Sequence, residues 1–423
     1  MRLELKAFTI NRTRLSERMT ELSKIGQIGE TGVARLAFSA EDKLAVEKVQ
    51  AWMKQAGLIT RIDHFGNLIG RMEGKQSTAP VLMLGSHIDS QPYGGRFDGV
   101  IGVLGALEVV ETMKEQNIIP NIPIEVIAFS DEEGSRFNKG LFGSRGICGM
   151  LEEGELDRTD KEGMTRREAL TQFGCDPEKL SESEYKKGSI AAFLELHIEQ
   201  GPILEEKNSP VGIVTGIAGP LWATVEMEGF AGHAGSVPMS MRQDALVGAA
   251  KVIVALQELT SKDPSAPTVG TVGSLRVFPD SRNIIPEKVS FTIDLRDINI
   301  KRRHRLEDEL KSKIDAIAHK HKLTYTINED TNSEPRYCAS WIQDMMENEA
   351  QQIGIQAPKL MSGPFHDSLA LSYVCDYGMI FVRCKKGISH NPKEYATIED
   401  ISLGTELLYR SVQQMQKRLD NIY

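Results

Sequence analysis

Apolar positions in this chain follow two different rhythms. In the first part, short wholly apolar runs alternate with stretches of helical period. Ser39, with Asp42 three residues on, marks a helix start resembling a capping box; Ala45, Val49, Trp52 and Met53 carry its apolar face, and Gly57 ends it. Val81–Leu84 reads as a buried strand closed by Gly85. Val103, Leu104, Leu107, Val110 and Met113 then form a helix face, Pro120 and Pro123 break it, and Ile124–Phe129 is the next buried strand. Strand, helix, strand in that order predicts a parallel, right-handed βαβ unit. Ligands of such sheets collect at the carboxyl ends of the strands.

From about residue 213 to 329 the rhythm changes to strand, helix, strand, strand, helix, strand. Trp222–Glu228 opens it. A helix over about 241–259 has Ala245, Ala249, Val252, Ile253 and Leu256 on one face, and Val269–Val277 is the second strand. Val289, Phe291, Ile293 and Leu295 then alternate strictly, as a strand with one buried face does. Leu306, Leu310, Ile314 and Ile317 mark the second helix, and Leu323–Ile327 closes the unit. That order predicts a ferredoxin-like split βαβ unit. The α/β pattern resumes afterwards, with a last helix from near Thr397. The expected organisation is therefore a domain from residues 1–212 and 330–423 with a second domain, 213–329, inserted into it.

Composition narrows the function classes. With 423 residues, 40% hydrophobic and 26% charged, the chain is long enough for two domains and ordinary for a soluble protein. A net charge of −9 argues against a nucleic-acid partner or an anionic membrane surface. The most apolar stretch, Val100–Val110, carries Glu108 and is too short to span a bilayer. MRLELKAFTINRTRL at the start has no apolar signal core. The five cysteines (148, 175, 338, 375 and 384) are scattered and odd in number, so reduced thiols in a cytoplasmic protein are expected.

Five side chains of metal-binding type lie just past apolar runs or at turns: His87, Asp98, Glu133, His197 and His390, with Glu132 as a spare carboxylate. Two cations sharing a bridging carboxylate, with one more carboxylate free for protons, is what a two-metal hydrolase requires. Each residue also has a bland reading. His87 suits a loop histidine, although Asp89 two residues on is a natural partner for its second ring nitrogen. Asp98, in Gly94-Gly95-Arg96-Phe97-Asp98-Gly99, suits an Asx turn or a helix cap. Asp131-Glu132-Glu133 suits a solvated loop, but three adjacent carboxylates at the end of a buried strand repel unless cations neutralise them. If the segment around His197 is a strand, Glu195, His197 and Glu199 share one face.

Taken together, GSHIDSQPYGGRFDGVIGVLGALEV, FSDEEGSRF, ELHIEQGPILE, GFAGHAGSVPMSMRQDAL, DLRD and GISHNPKEY resemble the M20 metallopeptidase clan. Within it the chain is most similar to N-carbamoyl-L-amino-acid hydrolases, allantoate amidohydrolases and β-ureidopropionases. The resemblance implies a mixed-sheet α/β catalytic domain of zinc-exopeptidase type with an inserted ferredoxin-like lid and dimerisation domain. It implies that His87, Asp98 and His197 hold one divalent ion, and that Asp98, Glu133 and His390 hold a second. Zinc, manganese, cobalt and nickel all suit such ligands. By the same resemblance Glu132 is the general base and His233 steadies the oxyanion in a partner subunit's site, while Asp89 is counted with the catalytic residues as the partner of His87. Gln200, Asn283 and Arg296 match positions that contact substrate, with Arg296 suited to grip a carboxylate and Asp294 or Asp297 its alternative surface partners. The expected assembly is a homodimer through the inserted domain.

One segment departs from the pattern. Where these relatives often carry Ser-Gly-Ala-Gly-His-Asp in a loop that meets substrate, this chain has Ser362-Gly363-Pro364-Phe365-His366-Asp367. Pro364 removes an N–H donor and Phe365 adds a ring, so the loop Gly363 to His366 is expected to shift substrate preference. The function expected is hydrolysis of a linear amide or ureido C–N bond in a small carboxylate-bearing substrate. N-carbamoyl-L-amino acids are the first choice, and allantoate, N-acyl amino acids or dipeptides are the alternatives. A non-catalytic scaffold would show a lost ligand or base, and none is lost here.

Overall fold

A computed structural model describes residues 8–419, so the first seven residues of the N-terminal stretch read above lie outside it. The chain forms two compact units, one from residues 1–215 and 338–423, the other Gly216–Tyr337. The second therefore starts and ends later in the chain than the 213–329 expected.

The first unit is built on a mixed nine-stranded sheet. At its centre Asp376–Val382, Ile190–Ile198, Val81–His87 and Ile124–Phe129 lie parallel and adjacent. All seven residues of Val81–His87 and all six of Ile124–Phe129 are buried, which is why these strands read as continuous apolar runs. The helix Val100–Glu115 crosses between them and packs on the sheet, and Ile398–Leu419 packs on that helix. Register places His87 beside Phe129 and His197 beside Phe381. The carboxyl ends of all four central strands are thus level, and their exit loops share one edge. Leu68–Met72 and Ile59–Ile62 extend the sheet antiparallel on one side, and Val211–Ile217 does so on the other. The predicted helix start is only half a capping box. Ser39 accepts from the Asp42 amide at 3.1 Å, but the Asp42 carboxylate takes the Phe38 N–H at 2.8 Å rather than that of Ser39.

The second unit is an antiparallel sheet with Gly219–Glu228 and Lys288–Asp297 at its centre and Thr324–Asn332 on one edge. The helices Ala245–Ser261 and Ile300–His321 cover one face. Strand order and helix placement are those of the split βαβ unit. The expected single strand Val269–Val277 is two, Val269–Thr271 and Leu275–Phe278, both paired with Lys288–Asp297. Between them Val272, Gly273 and Ser274 oppose only Thr292 and Ile293, so one extra residue bulges out. Val225, Phe291, Ile293 and Leu295 meet Ala249, Val252, Leu306 and Leu310 in its core.

Candidate active site

At the carboxyl edge of the first unit, Asp98 faces two groups of ligands. Its Oδ1 lies 3.1 Å from His197 Nε2 and 3.5 Å from His87 Nε2. Its Oδ2 lies 3.5 Å from His390 Nε2, which is 3.3 Å from Glu133 Oε2. His87, Asp98 and His197 form one set of candidate ligand atoms and Asp98, Glu133 and His390 another, each mutually within 4.8 Å. These are the two sets the resemblance implied. Local structure explains how they meet. His87 ends its strand and His197 is the penultimate residue of its own, while Glu133 and His390 lie on the loops that follow two others. Asp98 sits just before the Val100–Glu115 helix. There Gly99 has φ 65°, and a Cβ on it would fall 2.4 Å from His87 Nε2.

The imidazoles are set up to bind a cation. His87 Nδ1 is 3.0 Å from the Asp89 carbonyl oxygen, and His197 Nδ1 is 2.9 Å from the Ile198 carbonyl oxygen. Donation to these carbonyls puts the proton on Nδ1 and leaves each Nε2 with a lone pair. In His197 that lone pair also accepts the Gly99 N–H at 3.2 Å. Both lone pairs point at Asp98 oxygens, which are acceptors too, so the arrangement calls for a positive charge between them. The residues present therefore fit divalent cations. Asp89 does partner His87, through its backbone carbonyl and with its Oδ1 3.5 Å from His87 Nδ1. The Asp89 carboxylate accepts the amides of Glu132 and Glu133, both at 3.2 Å, and so holds the loop that carries them.

Burial governs the acids. Glu132, with Oε2 3.6 Å from His87 Nε2, is pushed well above the usual carboxylate range by burial. His87 opposes that shift, and Asp367, Glu133 and Asp89 reinforce it. Burial, then the charge of Asp98, raises Glu133 to about 8. Asp98 goes the other way: burial alone would raise it, but without a cation His197 and His87, both raised, face it in their protonated form and hold it well below its ordinary value. Asp131, the first of the three adjacent acids, needs no metal. It meets the buried Arg166 at 3.0 Å, although burial still lifts it to about 7. Only Glu132 and Glu133 face the ligand cluster.

Other expected residues divide. Gln200 is at the site: its Nε2 donates to Asp98 Oδ2 at 2.8 Å and lies 3.4 Å from His390 Nε2. His366 was open to two readings, facing substrate or standing behind the ligands, and it is only 1% exposed. Its ring stacks edge-on against His197 at 4.3 Å, and its Nε2 is 2.8 Å from Ser362 Oγ, so it backs a ligand rather than lining an opening. Gly363, Pro364 and Phe365 are half-buried, with the Pro364 carbonyl accepting from Ser362 Oγ at 2.8 Å. Glu195 also backs the site. It accepts from Ser86 Oγ at 2.7 Å and Ser368 Oγ at 2.6 Å, tying the end of the Val81–His87 strand to the short helix Asp367–Leu371. Glu199, past the end of its strand, instead accepts the Ile203 and Leu204 amides. Ser389, Glu394, Arg166 and Asp367 were not singled out from the sequence. The second unit holds His233, Asn283 and Arg296. His233 and Asn283 are exposed on adjoining segments, where the Ala234 amide donates to the Asn283 carbonyl at 2.8 Å. Arg296 pairs with Asp294 at 2.8 Å and lies 5.6 Å over the Trp222 ring.

Comparison with known proteins shows the family. The sequence profile of peptidase family M20/M25/M40 matches residues 83–414. The chain belongs to the M20 family. Among M20 relatives, an N-carbamoyl-L-amino-acid amidohydrolase of Pseudomonas sp. (strain NS671) is 47% identical, over 96% of this chain and 99% of that protein. One from Geobacillus stearothermophilus is 42% identical over 95% and 98%. The crystal structure of an amidase of the hydantoinase/carbamoylase family from Burkholderia multivorans superposes with a TM-score of 0.89 at 34% identity, covering 96% of this chain and 98% of that one. M20 proteins are metal-dependent, and in this one no helix among the described residues is long and apolar enough to cross a membrane.

Proposed function

We propose that this M20 protein is an amidohydrolase that uses two divalent cations to cleave the carbamoyl C–N bond of N-carbamoyl-L-amino acids, releasing amino acid, ammonia and carbon dioxide. The observation that carries the reading is Asp98, whose two oxygens face separate histidine-containing ligand sets. Support for the substrate comes from the 47% identical amidohydrolase over nearly the whole chain. His87, Asp98 and His197 would hold one cation and Asp98, Glu133 and His390 the other, with zinc, manganese, cobalt and nickel all compatible. When bound, the cations supply Lewis acidity and lower the pKa of water. Glu132, buried beside His87, accepts the proton of the attacking water and returns it to the leaving nitrogen. The Asp89 carboxylate keeps Glu132 in place through its backbone amide. Gln200 offers its amide to a polar group next to the scissile bond.

The remaining assignments belong to the same proposal and rest on the family resemblance. Gly216–Tyr337 serves as lid and dimerisation domain, His233 stabilises the oxyanion in a neighbouring subunit, and Asn283 with Arg296 holds the substrate carboxylate. The loop Gly363-Pro364-Phe365 shapes the distal pocket. A cytoplasmic location is part of the reading and rests on the scattered, odd-numbered cysteines. The test is a substrate panel on metal-reconstituted enzyme: N-carbamoyl-L-amino acids, allantoate, N-carbamoyl-β-alanine, N-acyl amino acids and dipeptides, with ammonia and amine release followed separately. Ammonia and amine in equal amounts from carbamoyl substrates is the expected result. Efficient turnover of allantoate or dipeptides with carbamoyl amino acids inert would overturn the substrate assignment.

A further inference from the structure

The two directions in which Asp98 points must be imposed by its surroundings, because an aspartate on a glycine-rich turn has freedom to rotate. Glu394 imposes them. It is 1% exposed and lies almost three hundred positions further along the chain. Its Oε1 accepts the Phe97 N–H at 2.9 Å and the Asp98 N–H at 3.1 Å. Its Oε2 lies 3.1 Å from Ser389 Oγ, and that hydroxyl donates to Asp98 Oδ2 at 2.7 Å. One carboxylate therefore grips the Asp98 backbone, and through Ser389 it reaches the oxygen that faces His390. The neighbouring residue adds to the clamp: the Tyr395 ring meets Phe97 edge-on at 5.9 Å. The turn is cut to receive Glu394, since a Cβ on Gly95 would fall 2.1 Å from Glu394 Oε1.

We propose that Glu394 is a positioning residue for the metal site, locking the Phe97–Asp98 backbone to the Ser389–His390 loop so that Asp98 presents one oxygen to each cation. Glu394 touches neither substrate nor cation; it acts through Asp98 and Ser389. The role rests on the two-cation reading of the site and adds to it the part that brings the two ligand loops into register. Ligand-supporting residues of this kind are worth roughly ten- to a hundredfold in metal affinity or activity.

The test is titration of metal-free protein with Co2+ alone, read by calorimetry and by visible absorption, on wild type, Glu394→Ala, Glu394→Gln and Ser389→Ala. Glu394→Ala is expected to weaken cation binding by about tenfold or more, alter the Co2+ absorption, and lower kcat more than it raises KM at saturating metal. Glu394→Gln retains a carbonyl oxygen for the two amides and should recover most of the affinity. Ser389→Ala should reproduce part of the loss. A folded Glu394→Ala protein with wild-type affinity, spectrum and kcat overturns the role. If that variant does not fold, Gly95→Ala displaces the carboxylate sterically and should give the same metal defect, and wild-type metal affinity there overturns it equally. A wild type that binds one cation defeats the two-cation reading. Glu394 is then judged on that single affinity, and no change in Glu394→Ala would overturn its role.

Discussion

The two units handle buried charge in opposite ways. In Gly216–Tyr337 the strand Lys288–Asp297 alternates between half-buried polar and buried apolar positions, and its buried end acid, Asp297, is closed by Arg302 at 2.6 Å. In the other unit, acids collect at the carboxyl edge of a sheet buried on both faces. Burial raises Glu132, Glu133, Asp367 and Glu394 there, with Asp131 beside them, and it raises Asp42, Asp63 and Glu199 elsewhere in the same unit. A protein tolerates such crowding only where something positive joins it or where neutral acids are useful. The lesson is that the two sheets are equally regular, and the chemistry sits where one of them breaks the rule that buried charges are paired.

The comparison can be broken or sharpened by experiment. Within the second unit the largest effect is expected at Arg296, its proposed contribution to substrate. Arg296→Ala should lower kcat/KM by roughly two to three orders of magnitude, about 3–4 kcal/mol, with metal content unchanged. A small loss would leave Arg296 as the partner of Asp294 and Trp222 that its geometry shows. Next, if the protein forms the proposed dimer with a shared site, mixing inactive His233→Ala and Glu132→Gln subunits should restore activity, up to about a quarter of wild type, because half of the pairs would then carry one intact composite site. No restoration after verified subunit exchange would confine catalysis to one subunit.

Smaller effects concern the loop and the acids. Phe365→Gly with Pro364→Ala should raise activity on ordinary N-carbamoyl amino acids by about several-fold. If wild type already cleaves these efficiently and the double variant gains nothing, the loop does not set preference. Thermal stability should show the crowding directly. Glu133 is raised to about 8 and Asp131 to about 7, so the folded protein holds these protons more tightly than the unfolded chain. Their stabilisation is complete below the unfolded carboxylate range, near pH 4, and is lost as pH rises through 7 to 8. His87, raised as well, acts in the same direction. The Tm of metal-free protein should therefore fall by about a few degrees between pH 5 and 8, and saturating divalent cation should reduce that fall. A metal-free Tm that rises over this range would contradict the electrostatics of the site.

Much of this was legible in the sequence because the ligands punctuate apolar runs. His87 and the Glu132–Glu133 pair follow buried strands, and Asp98 precedes a strongly apolar helix, so period and chemistry coincide. The alternation of Val289 to Leu295 predicted a one-sided sheet for the same reason. What escaped has no local signature. Arg166 lies in a polar stretch with little periodicity, and only the fold brings it to Asp131. Glu394 stands inside a recognised motif, yet its partners are amides almost three hundred residues away. The role of Asp89 was half visible: its pairing with His87 was apparent, but not that its carboxylate also accepts the amides of the next loop. The bulge that splits Val269–Val277 turns on a register shift of one residue, which alternation alone does not reveal.

The most direct test of the central claim is metal content and single-turnover rate measured together on Glu132→Gln. If the ligand sets around Asp98 hold the cations and Glu132 moves the proton, the variant binds as much metal as wild type and loses about a hundredfold to ten-thousandfold in the chemical step. Near-normal turnover at full metal loading would contradict the account.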